Sequence, residues 1–245
     1  MKHTLLRPDT PSAPLRPLLL PALLLLAAPM ALLVDGPISR WCTAYNCPDF
    51  LRDLLGVLEP FGNGLGVLVI VAAVHQLDPL RRWGLPRLLA CSLGAGLAAN
   101  VVKMLVVRTR PHQFDFTDGI LASFGGWLPL TSAGSAGQSF PSAHTATAVG
   151  LAVGLIWLYP HGRRLFAGLA ALVACQRVEA GDHFLSDVLC GAATGCLIAA
   201  ACLKVGLLPR WFDTWERRLG RPAESAPVPN ARPTDDREQA GSRAA

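Results

Sequence analysis

The chain has 245 residues, 51% of them hydrophobic and only 16% charged, with a mean hydropathy of +0.37. That balance excludes an ordinary soluble multidomain protein and a disordered one, and points to a single compact bundle of membrane helices. The net charge of +5 does not imply a nucleic-acid partner, because the basic residues are spread over several loops and a tail and form no single patch.

Apolar runs long enough to cross a bilayer, about 17 to 25 residues each, fall near Leu18 to Val34, Phe61 to Leu77, Pro86 to Val107, Ala143 to Tyr159, Leu165 to Val178 and Leu185 to Val205. The expected fold is therefore all-α, a six-helix transmembrane bundle. Residues 1–14 form a cytoplasmic segment, 15–209 the membrane domain and 210–245 a cytoplasmic tail. From about Arg221 the tail is rich in Pro, Ala, Arg and Asp without apolar periodicity, which predicts disorder. A cleaved signal peptide is a second reading of the first run, since basic residues precede it and small residues follow near Ala27 to Ala31.

Loop charge orients the bundle, because Lys and Arg are retained on the cytoplasmic side. Lys2, Arg7 and Arg16, then Arg81, Arg82 and Arg87, then Arg163 and Arg164, then Arg210, Arg217 and Arg218 all fall on one face. The connections Asp35 to Pro60 and Arg108 to Phe140 face outward. Trp83, Trp157 and Trp211 lie at predicted inner boundaries, Trp41 and Trp127 in outer loops. Cys42 and Cys47 share an outer loop where oxidation is permitted, so a short-range disulfide and two free thiols both remain open. The other five cysteines lie in apolar runs and read as small hydrophobic side chains.

Three clusters place ionisable groups where hydrocarbon penalises them, and such groups default to function. Lys103 and Arg110 are seven residues apart, two turns of a helix through Val101 to Thr109, so both point along one face toward one anion. Pro111 then ends the helix. Arg108 lies off that face and reads as an end residue reaching for the interface.

The second cluster, Ser139 to His144, reads as a helix start. Ser139 or a neighbour caps it, Pro141 takes the first position, and the free N–H groups of Ser142, Ala143 and His144 cradle an anion with the Ser142 hydroxyl. In the third cluster His183 and Asp187 are four apart, adjacent on a helix that begins near His183, while Arg177 offers a planar fork to two phosphoryl oxygens. A carboxylate so placed accepts the imidazole Nδ1 proton and leaves Nε2 as nucleophile. The charge-derived topology brings all three clusters to the outer face. The loop Asp115 to Gln138, with Phe114, Phe116, Phe124 and Trp127, is either a lip over lipid chains or a simple connector.

The three-part pattern resembles the type 2 phosphatidic acid phosphatase superfamily, which carries K-x6-R-P, P-S-G-H and S-R-x5-H-x3-D. Here it stands as Lys103-x6-Arg110-Pro111, Pro141-Ser142-Ala143-His144 and Gln176-Arg177-x5-His183-x3-Asp187. Ala143 replaces the usual Gly and adds a methyl beside the phosphate nest. Gln176 replaces the usual Ser.

The resemblance implies a bacterial membrane lipid phosphatase without metal or cofactor, its catalytic residues His183, His144 and Asp187. Lys103, Arg110, Ser142, Ala143 and Arg177 would bind phosphate. The expected substrate is a phosphorylated lipid held in the bilayer, of the phosphatidate, phosphatidylglycerol phosphate, undecaprenyl diphosphate or lipid A type. The segment Gly181 to Asp187 is similar in wording to bacterial members, lipid A phosphatases among them. A lipid phosphotransferase using the same residues, or a carrier that keeps the cations without chemistry, is the alternative. The expected location is a bacterial inner membrane, with the site facing the periplasm or exterior.

Overall fold

A computed structural model describes residues 16–128, 130 and 134–221. The expected cytoplasmic segment 1–14 and the tail beyond Arg221 lie outside the described residues. The expected apolar runs correspond to six helices: α1 (Arg16–Thr43), α3 (Gly64–Leu77), α4 (Leu85–Lys103), α5 (Ala143–Leu158), α6 (Arg163–Glu179) and α7 (Leu185–Leu203). Two amphipathic helices join them, α2 (Asp49–Val57) and α8 (Leu208–Arg218). Three stretches, Pro17–Thr43, Pro79–Lys103 and Leu185–Leu203, are long and apolar enough to cross a membrane, and Gly64–Leu77 and Ala143–Leu158 are shorter apolar helices.

At the centre, α5 packs against α4, α6 and α7. Leu88, Leu151, Val67 and Val173 are fully buried there. Among helices without a water-driven force between them, close approach depends on small residues. A Cβ at Gly150 on α5 would stand 2.1 Å from the Cys91 carbonyl oxygen of α4, and one at Gly195 on α7 would stand 2.7 Å from the Ala146 carbonyl oxygen of α5. Outside this core, α1 exposes Leu19, Leu23, Leu26, Met30 and Leu33, an apolar surface fit for acyl chains. Of the two readings of Cys42 and Cys47, the structure has both as buried free thiols.

The segment after Lys103 departs from the expected helix. α4 ends at Lys103, and Val106–Arg108 form strand β1, paired antiparallel with β2 (Phe124–Trp127) through Val106↔Trp127, Val107↔Gly126 and Arg108↔Phe124. The β-branched pair Val106-Val107 suits a pleated strand better than a helix. Pairing also leaves Arg108 facing inward between ring faces, with Phe124 and Phe184 centroids 4.4 and 4.2 Å from its guanidinium carbon. Lys103 and Arg110 therefore do not share a helix face.

At the opposite end the expected tail begins in order. α8 docks through Phe212, and its Glu216 and Asp213 hold the buried Arg87 of α4 at 2.6 and 2.7 Å. Arg87, counted in the sequence as a free loop charge, is thus spent on an internal ion pair. Trp83 and Trp157 meet edge to face near this end, whereas Trp41 and Trp127 are exposed.

Candidate active site

The helix ends that carry the three clusters meet around His183. Residues 180–184 turn from α6 into α7, with Gly181 at φ +68°, a left-handed conformation that glycine accepts without strain. His183 is 3% exposed and its main-chain N–H donates to the Arg177 carbonyl at 3.2 Å, so the turn fixes the ring against the end of α6.

Asp187 sits in the first turn of α7 and is fully buried. Its Oδ2 accepts the Phe184 main-chain N–H at 2.9 Å and the Ser139 hydroxyl at 2.6 Å. The His183 Nδ1 lies 3.8 Å from the same oxygen, beyond hydrogen-bond range, and makes no other polar contact among the described residues. Burial holds the His183 imidazole below its ordinary pKa, Lys103 and Arg110 push the same way, and Asp187 opposes them. The imidazole is therefore neutral near pH 7, the form that carries a free lone pair.

Arg108 replaces the expected interface residue with a buried hub. Its Nη1 donates to Asp187 Oδ1 and, at 2.7 Å, to Ser186 Oγ. Its Nη2 reaches Asp35 Oδ2 at 2.9 Å and its Nε the Ser123 hydroxyl at 3.1 Å. Asp35, from α1, also takes the Ser186 N–H at 3.0 Å. Arg108, Asp35 and Asp187 are all inaccessible to solvent. Sequence spacing missed this: Arg108 and Asp35 belong to no motif, and only the β1 pairing brings them together. A carboxylate directly after the first apolar run was the available signal.

The three cations expected to hold phosphate converge, but each already has a partner. Arg110 Nη1 is 2.9 Å from Asp182 Oδ1, and Arg177 Nη2 bonds the other oxygen of that carboxylate. Arg177 Nη1 lies 3.2 Å from Glu59 Oε1, whose oxygen stands 3.5 Å from His144 Nε2. A chain of ion pairs thus runs from Glu59 through Arg177 and Asp182 to Arg110, with His144 in polar contact with Glu59 at its end. Lys103, buried at the end of α4, donates to the Gln138 carbonyl. Glu59 and Asp182 were not singled out as anion-site partners from the sequence.

The helix start at Ser142 differs in detail from expectation. Ser142, not Ser139, is the cap, its Oγ accepting the Thr145 N–H at 3.4 Å and the Thr145 hydroxyl at 3.0 Å, and Pro141 precedes the cap. The Ser142 N–H is used by the Asp187 carbonyl at 3.1 Å. This leaves the N–H groups of Ala143 and His144, which open α5 and have no helical carbonyl before them. The Ala143 methyl packs against the Ala95, Ala99 and Ala146 cluster. Gln176, 6% exposed, borders a neighbouring cavity with the end of α1 and with α2.

A neutral buried histidine, a second histidine, three cations and the open amides of a helix start, gathered at one end of the helices, form an environment suited to an anion and to nucleophilic attack on it. Residues 85–210 match the family model described as the PAP2 superfamily. The chain is 34% identical over 198 residues to a lipid A 1-phosphatase of Rhizobium etli, covering 72% of this chain and 81% of that protein. It is 34% identical over 137 residues to a lipid A 1-phosphatase of Rhizobium johnstonii, about half of each chain (53% and 53%). Among solved structures, a transmembrane PAP2 type phosphatidylglycerolphosphate phosphatase from Bacillus subtilis shares the fold, with a TM-score of 0.52 over 82% of this chain and 98% of that one at 19% identity. Family model, relatives and fold agree with the three motifs read from the residues, and the chain belongs to the PAP2 superfamily.

Proposed function

We propose that the protein is an integral membrane phosphatase that removes phosphate from a lipid phosphate monoester or diphosphate at the outer face of a six-span bundle, in a bacterial inner membrane. The His183 Nε2 lone pair attacks phosphorus, the bond to the lipid oxygen breaks, and His144 gives that oxygen a proton. Water, deprotonated by His144, then attacks the phosphohistidine, the P–N bond breaks and inorganic phosphate leaves. Asp187 orients His183, and the 3.8 Å gap between them closes as substrate fills the site.

Lys103, Arg110, Arg177, the Ser142 hydroxyl and the amides of Ala143 and His144 hold the phosphoryl oxygens. To do so, phosphate has to take the place of Glu59 and Asp182 on the guanidiniums. The single observation that carries this reading is a buried, neutral His183 beside a fully buried carboxylate and within the field of Lys103 and Arg110, drawn from separate segments. The relatives' names favour a glycolipid phosphate of the lipid A type among the candidate substrates.

Purified protein incubated with each phosphate-labelled lipid, with and without an acceptor lipid, tests the class of activity. Free phosphate is the expected product. Label recovered on the acceptor lipid makes it a phosphotransferase, and binding without turnover makes it a carrier.

A further inference from the structure

Next to the proposed phosphate site lies a cavity of about 770 Å³, within the range of small-molecule sites. Its wall comes from the end of α1, from α2, from the turn after Pro111 and from the end of α6. Tyr45, Arg52, Asp53, His112, Gln176 and Glu179 supply its chemistry. It adjoins the phosphate residues through the chain itself: Gln176 precedes Arg177, and His112 follows Arg110-Pro111 with its Nδ1 2.9 Å from the Gly181 carbonyl.

The charge state of the wall limits what fits. Arg52, its only guanidinium, is already held by Glu179 and Asp49 at 3.0 Å each and by the Cys47 carbonyl at 3.1 Å. Asp53 is an exposed carboxylate with no ion-pair partner among the described residues. The Gln176 side-chain amide oxygen, Oε1, is buried and unbonded among the described residues. What remains to be satisfied is therefore mostly acceptors: a second phosphate would be repelled, and a bare hydrocarbon chain would leave the buried amide without a partner. A ring of hydroxyls supplies the missing donors, and Tyr45 at the rim, with one ring face covered by the Arg52 guanidinium at 5.1 Å, offers its other face to a sugar.

We infer that this cavity is the head-group subsite of the enzyme and receives a sugar ring of a glycosyl phosphate lipid. The inference rests on the phosphatase reading above. It places substrate choice in α2 and the end of α1, away from the groups that hold phosphate.

The test compares wild type, Asp53→Ala and Tyr45→Ala, both exposed positions, on three lipids with matched acyl chains: an acylated disaccharide 1-phosphate, phosphatidylglycerol phosphate and phosphatidate. Expected is a rise in KM for the disaccharide lipid of about fivefold, the loss of one hydrogen bond, with kcat kept. Where the wild type turns over the other two lipids, their KM stays within about twofold, less than one such bond. The subsite is overturned if the KM of the disaccharide lipid does not move, if all lipids shift alike, if only phosphatidylglycerol phosphate shifts, or if the wild type hydrolyses phosphatidate but not the disaccharide lipid. A wild type that hydrolyses none of the three, nor undecaprenyl diphosphate run beside them, refutes the phosphatase reading instead.

Discussion

Replacing Arg108 with Ala removes the one cation between two solvent-inaccessible carboxylates, Asp35 and Asp187, along with donors to Ser186 and Ser123. Breaking a buried pair by deleting one partner costs about 3–5 kcal/mol, because the other charge is left uncompensated. Here two are left, and stacking against Phe124 and Phe184 is lost as well, so the upper end of that range applies. The Asp35→Asn variant keeps the Arg108–Asp187 contact and is expected to cost less, about 1–3 kcal/mol, the loss of hydrogen bonds to a charged group. Arg108→Lys keeps the charge but not the fork that reaches Asp35, Asp187, Ser186 and Ser123 at once, and falls between. Chemical unfolding of the purified protein in detergent measures all three, and kcat reports whether Asp187 still orients His183. An Arg108→Ala protein within about 1 kcal/mol of wild type, below the cost of any broken buried pair, with full kcat would refute the hub.

The remaining predictions bear on the site itself. Because the His183 pKa is lowered in the fold, the acid limb of kcat/KM lies below the ordinary histidine value of about 6.5, and it moves up toward that value in Lys103→Gln, which removes one of the depressing charges. The same shift makes folding favour the neutral ring. Its contribution to stability is full above pH ~6.5 and is lost as pH falls from there toward the folded pKa, visible in unfolding curves as the pH is lowered from about 7. Glu59→Gln frees one arm of Arg177 from its competing carboxylate, and inhibition by inorganic phosphate is expected to tighten several-fold in initial-rate assays. A Cβ at Gly191 would stand 2.4 Å from the Ser142 carbonyl oxygen, so Gly191→Ala has to push α7 off the phosphate cradle. Activity falls by about tenfold or more, since displacements near 1 Å cost up to about a hundredfold.

Much of this was legible in the residues. Each of the six apolar runs holds a helix, although α1 runs nine residues past Val34, α4 stops four short of Val107 and three helices are long and apolar enough to cross a membrane, and the three motifs named groups that lie around His183. What was not legible depends on pairing between distant segments. Val101 to Thr109 has a helix-compatible spacing of Lys103 and Arg110, yet Val106 and Val107 pair with Gly126 and Trp127, and the strand turns Arg108 inward. Asp35 looked like the edge of an outer loop until α1 ran on to Thr43 and carried it into the core. No local pattern reveals that Asp182 and Glu59 occupy the arginines. The order of residues 208–218 rests on Phe212 and on the Arg87 ion pair, again a contact across the fold.

The most direct test of the central claim is to mix the protein with phosphate-labelled lipid, quench within one turnover at alkaline pH, where a phosphohistidine survives, and map the label on the chain. Label on His183 in the wild type, absent from a folded His183→Ala protein that releases no phosphate, is the predicted result. Undiminished phosphate release by His183→Ala, or label on another residue, would contradict the account.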